Sequence, residues 1–166
     1  MKVKAVCIVM VCFSIWSCSS DDNGGTSGNN SIVGTWDATE LIINEDTASD
    51  EAVIGSQILK LLSNDDCYII TLKFNEDLTA EARNSITEAI STATFGAGGL
   101  DVPCPTDFEV VSNSYTFSNG TISFLNDDGE TVNVAVSING DTMTVDAQSL
   151  QLPEVDEPGE LVFIRR

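Results

Sequence analysis

A succession of turn signals in the second half of the chain constrains its fold most. Asn119-Gly120, Asn126-Asp127-Asp128-Gly129 and Asn139-Gly140-Asp141 separate short segments rich in Val, Ile, Thr, Phe and Tyr. Asn-Gly and Asp-Gly supply the positive φ angles that tight hairpins require. β-branched and aromatic residues favour extended backbone between them. Residues 114–118, 121–125, 131–138 and 142–147 therefore read as consecutive antiparallel strands. A longer connection, 151–159, leads to a last strand at 160–165. Few folds other than an antiparallel meander accommodate three such turns in a row.

The first half adds strands and one clear helix. Trp36, Ala38 and Glu40 alternate with Asp37, Thr39 and Leu41, the period of a strand running to Ile43. Ile54, Ile58, Leu61 and Leu62 share one face at helical spacing, which predicts an amphipathic helix over 49–62. Thr47, Ser49 or Asp50 can cap its start. Residues 67–74 and 78–82 read as a second and third strand around the turn Asn75-Glu76-Asp77. Residues 84–103 suit either a short helix or a loop. Ser85 and Glu88 have the spacing of a capping box, while Pro103 and Pro105 disfavour regular pairing. The total is about eight strands and one or two short helices, an all-β and mainly antiparallel chain. Eight such strands can close into a barrel or form an open sandwich.

The N-terminus has a different character. Lys2 and Lys4 precede an apolar run from Ala5 to Trp16, and Ser17-Cys18 follows. This is the layout of a secretory signal, and the run is too short for a comfortable membrane span, which takes about 20 residues. Ser17-Cys18 resembles the lipobox of bacterial lipoproteins, which implies cleavage after residue 17 and a diacylglycerol on Cys18. Ser19-Ser20-Asp21-Asp22-Asn23 resembles the export tag of surface lipoproteins in Bacteroidota. The expected organisation is a signal at 1–17, a lipidated cysteine with a polar tether at 18–30, and one domain at 31–166. The expected location is the cell envelope, in the outer membrane and surface-exposed, with the lipid as the membrane contact. Of five cysteines, Cys7 and Cys12 leave with the signal and Cys18 carries lipid. Cys67 and Cys104 remain, in a compartment where disulfides persist, and are expected to pair.

Charge excludes several functions. The chain carries 26 acidic and 7 basic residues and no histidine. Losing the signal removes Lys2 and Lys4 and no acid, so the remainder is more negative still. Such a surface repels nucleic-acid phosphates and anionic lipid. Lack of histidine removes the commonest general base and metal ligand. The acidic pairs Asp65-Asp66, Glu76-Asp77, Asp127-Asp128 and Asp156-Glu157 fall in expected turns, where solvated carboxylates are ordinary. Residues 126–130 offer oxygen ligands without the spacing of a calcium loop. No nucleophile elbow, Ser-x-x-Lys, Cys-x-x-Cys or phosphate loop is present. No catalytic residue, metal or cofactor is expected, and the chain is not expected to be an enzyme.

Gly34-Thr35-Trp36 opens the first strand and resembles the Gly-x-Trp signature of lipocalins. Cys67, Phe74, Cys104, Tyr115-Thr116-Phe117, residues 139–145 and the ending Leu161-Val162-Phe163-Ile164-Arg165-Arg166 extend the resemblance to the lipocalin-like domains of Bacteroidota lipoproteins. The resemblance implies an up-and-down barrel of about eight strands. It implies that Trp36 closes one end, with a C-terminal arginine packed on it. Arg165 is preferred over Arg166 because it shares a face with Leu161 and Phe163. It implies a small hydrophobic ligand, with Tyr115, Phe117, Val134 and Val145 as candidate lining residues. The competing reading is a surface interaction lipoprotein with a filled interior, its protein partners undefined.

Overall fold

The computed structural model describes residues 31–126, 128–150 and 158–166. The expected signal, Cys18, the tether, Asp127 and the acidic pair Asp156-Glu157 lie outside these residues. Ten strands and two α-helices follow in order: β1 Gly34–Ile43, α1 Asp50–Asn64, β2 Ile70–Phe74, β3 Thr79–Asn84, α2 Ile86–Thr92, β4 Thr94–Gly96, β5 Gly99–Asp101, β6 Glu109–Ser118, β7 Thr121–Leu125, β8 Thr131–Asn139, β9 Thr142–Asp146 and β10 Gly159–Arg165. Eight of the strands form a closed antiparallel barrel in the order β1-β2-β3-β6-β7-β8-β9-β10, with β10 returning to β1. β4 and β5 form a separate two-stranded hairpin. Closure settles the choice between barrel and sandwich.

The turn chemistry accounts for the meander. Asn119 and Gly120 both take positive φ, 53° and 74°, as a two-residue hairpin between twisted strands requires. Gly129 and Gly140 provide the positive φ of the next two turns.

The first strand departs from simple alternation. Its pairing with β10 shifts between Ala38, opposite Phe163, and Glu40, opposite Val162. Thr39 is the extra residue of this β-bulge, and its hydroxyl donates to the Val162 carbonyl at 3.3 Å. Beyond it Leu41, not Glu40, falls opposite Leu161 and joins the core. The bulge thus turns the charged side chain out and the apolar one in.

Ser49 caps α1, its hydroxyl accepting from the Ala52 amide at 3.2 Å. Asp50 and Glu51 in the first turn suit the positive end of the helix dipole. Ile58, Leu59 and Leu62 are buried, with Ile54 and Leu61 packed beside them. The helix lies against β1, and the Ser63 hydroxyl donates to the Thr39 carbonyl at 3.0 Å, at the bulge.

The segment 84–103 is a short helix followed by the β4–β5 hairpin. The expected capping box does not form. Ser85 makes no side-chain cap, and the Ile86 amide is held by the Asn84 side chain at 2.9 Å. Glu88 reaches the Asp107 amide at 2.9 Å instead. Cys67 and Cys104 are disulfide-bonded with Cα atoms 5.9 Å apart. The bond fastens the far end of this excursion to the chain between α1 and β2.

The core runs from Ile32 to Phe163 and is built from inward residues of the barrel strands together with α1 and α2. Residues 31–166 thus contain the closed barrel and its hydrophobic core. Among the described residues no helix is long and apolar enough to cross a membrane.

Candidate binding cavity

The two ends of the barrel differ. At the end where β1 begins, Trp36 is fully buried and its indole N–H donates to the Ile32 carbonyl at 2.7 Å. Arg165, its register partner on β10, lays its guanidinium on the indole, 4.1 Å from the ring centroid. The same guanidinium donates to the Val33 carbonyl at 2.6 Å and to the Ser31 carbonyl, and lies 3.5 Å from Asp141. Gly34 leaves room for it. Its φ is +140°, and a Cβ there would sit 2.9 Å from an Arg165 nitrogen. Gly34, Trp36 and Arg165 form one structural unit that ties the incoming chain to both β1 and β10.

Beside it lies a pair that sequence reasoning missed. Asp37 is buried, yet it carries a full set of partners. Arg166 donates to both carboxylate oxygens at 2.7 Å, and the Thr71 hydroxyl donates at 2.7 Å. The Arg166 guanidinium also lies over the Tyr68 ring at 5.5 Å. An acidic residue at the fourth position of β1, between the apolar Trp36 and Ala38, was the available signal. The two terminal arginines therefore diverge: Arg165, the last residue of β10, turns to Trp36, and Arg166, just past it, turns to Asp37.

Between this closed end and the other mouth lies a cavity of about 340 Å³. Leu72 and Phe74 of β2, Ile122 and Phe124 of β7, and Val134 of β8 form its apolar walls. Tyr115 of β6 meets Phe74 edge-on, with centroids 5.1 Å apart at 69°. The Tyr115 hydroxyl donates to the Asn75 carbonyl at 3.1 Å. Burial, with the Asp77 charge second, pushes the Tyr115 pKa up from its ordinary value. The phenol therefore stays neutral, a fixed polar edge on an otherwise greasy wall.

The cavity exists because β3 contributes small side chains. Ala80 and Ala82 face inward opposite Phe74 and Leu72, with Asn84 above them. Neighbouring inward positions on β2 and β7 carry Leu, Phe and Ile. Two successive alanines leave space that nothing across the barrel fills. The alternation Ala80-x-Ala82-x-Asn84 puts small and polar side chains on the inward face of β3. Toward the open end the wall becomes polar. Asn84 and Glu109 lie on it, with Asn126 and Leu150 from neighbouring loops, while Asn113 sits deeper, opposite Ala80.

Of the four expected lining residues, Tyr115 and Val134 border this space. Phe117 and Val145 are absent from its wall. Val145 is fully buried and stands opposite both Leu161 and Val136, so its side chain fills the β8–β9–β10 side of the barrel. Phe117 lies beyond Tyr115, paired with Ile122 and packed on the core. Among the described residues no group of acidic or cysteine side chains has metal-site geometry.

These features define a closed eight-stranded antiparallel barrel, sealed at one end by an Arg–Trp stack and hollow toward the other. Comparison with known protein families, curated proteins and solved structures finds no match for the chain.

Proposed function

We propose that this chain is a lipid-anchored envelope protein of the lipocalin-like kind, and that its barrel binds a small hydrophobic molecule. The observation that carries the binding reading is the 340 Å³ cavity with Leu, Phe, Ile and Val walls and a buried tyrosine edge. Small-molecule sites are concave, mostly apolar and about 300–1,000 Å³, with few polar groups to orient the ligand. A protein that gained only stability from its interior would fill such a space, since each lost packing contact costs free energy.

The anchoring reading rests on the lipobox-like Ser17-Cys18 and on the polar run after it. A Cys67–Cys104 disulfide is in keeping with an oxidising compartment outside the cytoplasm. Lipidation at Cys18 would leave residues 19–30 as a tether holding the barrel off the membrane.

Native mass spectrometry of protein purified from its own host, before and after denaturation, tests the binding reading. A discrete small mass released on unfolding is expected. Its consistent absence, with an apolar probe also failing to bind, would defeat the reading in favour of a surface interaction module. Metabolic labelling with a fatty acid, lost in Cys18→Ser, tests the anchor.

A further inference from the structure

The wall of the cavity carries acids and amides but no base. Glu109 stands directly opposite Asn84 in the β3–β6 register, on the inward-facing set that continues through Val111, Asn113 and Tyr115. Glu81 touches the space from the outer face of β3, opposite Lys73, and no lysine or arginine borders it. The nearest arginine in sequence, Arg83, belongs to the opposite face of β3, where its guanidinium lies 4.1 Å over the Phe108 ring. The amide of Asn113, half-buried on the wall, makes no hydrogen bond among the described residues. The whole chain adds a formal charge of −19.

Glu109 is exposed at the mouth, so a ligand's polar end there keeps much of its water while its body is desolvated. A carboxylate there would meet the Glu109 charge with no cation beside it to offset the repulsion. A protonated amine would meet an acceptor and an opposite charge. Resting on the reading of the cavity as a ligand site, we infer that its occupant is a cationic amphiphile. The apolar body lies against Phe74, Phe124 and Val134, and the ammonium end lies at the mouth by Glu109 and Asn84. The free fatty acid, the obvious anionic ligand for a greasy barrel, is disfavoured.

The test uses the barrel, residues 31–166, loaded with a neutral fluorescent naphthylamine probe at pH 7 and low salt. Decylamine, decanol and decanoate then compete for the site. The expected order is decylamine first, by about fivefold or more over decanol, with decanoate weakest. Glu109→Gln should bring decylamine down to the level of decanol, while Glu160→Gln, an exposed acid on β10, leaves the order unchanged. Equal binding of all three, or a preference that Glu109→Gln does not alter, overturns the inference and leaves the apolar site standing. Failure of the probe and all three competitors to bind overturns both.

Discussion

Trp36 and Arg165 divide their work between packing and charge. The indole is fully buried and hydrogen-bonded, so Trp36→Ala removes a large aromatic surface and leaves the Ile32 carbonyl unpartnered. A loss of about 3–5 kcal/mol is expected, read by urea denaturation. An unchanged midpoint would defeat the placement. Gly34→Ala should also destabilise, because its φ of +140° is strained for any side chain and its Cβ would press on Arg165. Asp37 and Arg166 follow a different logic. The carboxylate is buried while the arginine side chain is 60% exposed, so the partner, not the pair, matters. Arg166→Gln strands a buried charge and is expected to cost about 1–3 kcal/mol. Asp37→Asn added to Arg166→Gln should restore part of that loss, since the charge that needed a partner is gone. A double variant less stable than Arg166→Gln alone would contradict this account. The Trp36–Arg165 pairing was legible through resemblance and through the shared face of Leu161, Phe163 and Arg165. Asp37–Arg166 was not, because β-strand alternation says which face a residue takes and not which distant residue meets it there.

Elements with strong local rules were readable in advance, and those fixed by tertiary contact were not. The Asn119-Gly120 hairpin and the α1 stripe follow from φ requirements and helical spacing. The bulge at Thr39 does not, because only the pairing with β10 decides where the extra residue falls. Nor was the failed capping box foreseeable, since Asp107 competes for Glu88 from elsewhere in the chain. The disulfide belongs to this scale. It joins residues 37 apart and encloses β2, β3, α2 and the β4–β5 hairpin. Cys67→Ser with Cys104→Ser should lower stability by about 3–4 kcal/mol on the loop-entropy model. Hydrogen exchange should quicken in residues 86–105 more than in β8–β10. Uniform change across the barrel would mean that the bond does not chiefly restrain this excursion. Strand β6 carries one source of alkaline pH dependence. The Tyr115 phenol is held neutral by burial, so its folded pKa lies above its unfolded one. Its contribution is therefore present below about pH 10 and lost as pH rises through the folded value. Tyr115→Phe should flatten this alkaline loss while removing the hydrogen bond to Asn75, at about 1 kcal/mol near neutrality.

Taken whole, the molecule is asymmetric around its barrel axis, and that asymmetry decides between a vessel and a solid. On the β8–β10 side Met143, Val145, Leu161 and Phe163 are all fully buried, and their side chains pack that half. On the β3 side Ala80 and Ala82 leave the cavity open. Hydrophobic patterning reports that a strand has an inward face. It does not report whether the opposing faces meet, which depends on summed volumes across the barrel. This is why a meander was legible in the sequence and the position of the hollow was not, and why Val145, chosen by alternation, proves to be filler. The same volume argument yields a decisive substitution. Ala82→Phe places a ring into the empty space opposite Leu72. If the hollow is kept for a ligand, the variant should keep or raise its denaturation midpoint while binding of an apolar fluorescent probe falls at least tenfold. A lower midpoint with probe binding intact would show that Ala82 is set by packing and that the probe sits elsewhere. Trp36, the tryptophan of the folded barrel, reports on the sealed end, next to Leu72. Its emission should stay that of a buried indole in both forms, which separates a blocked cavity from an opened barrel.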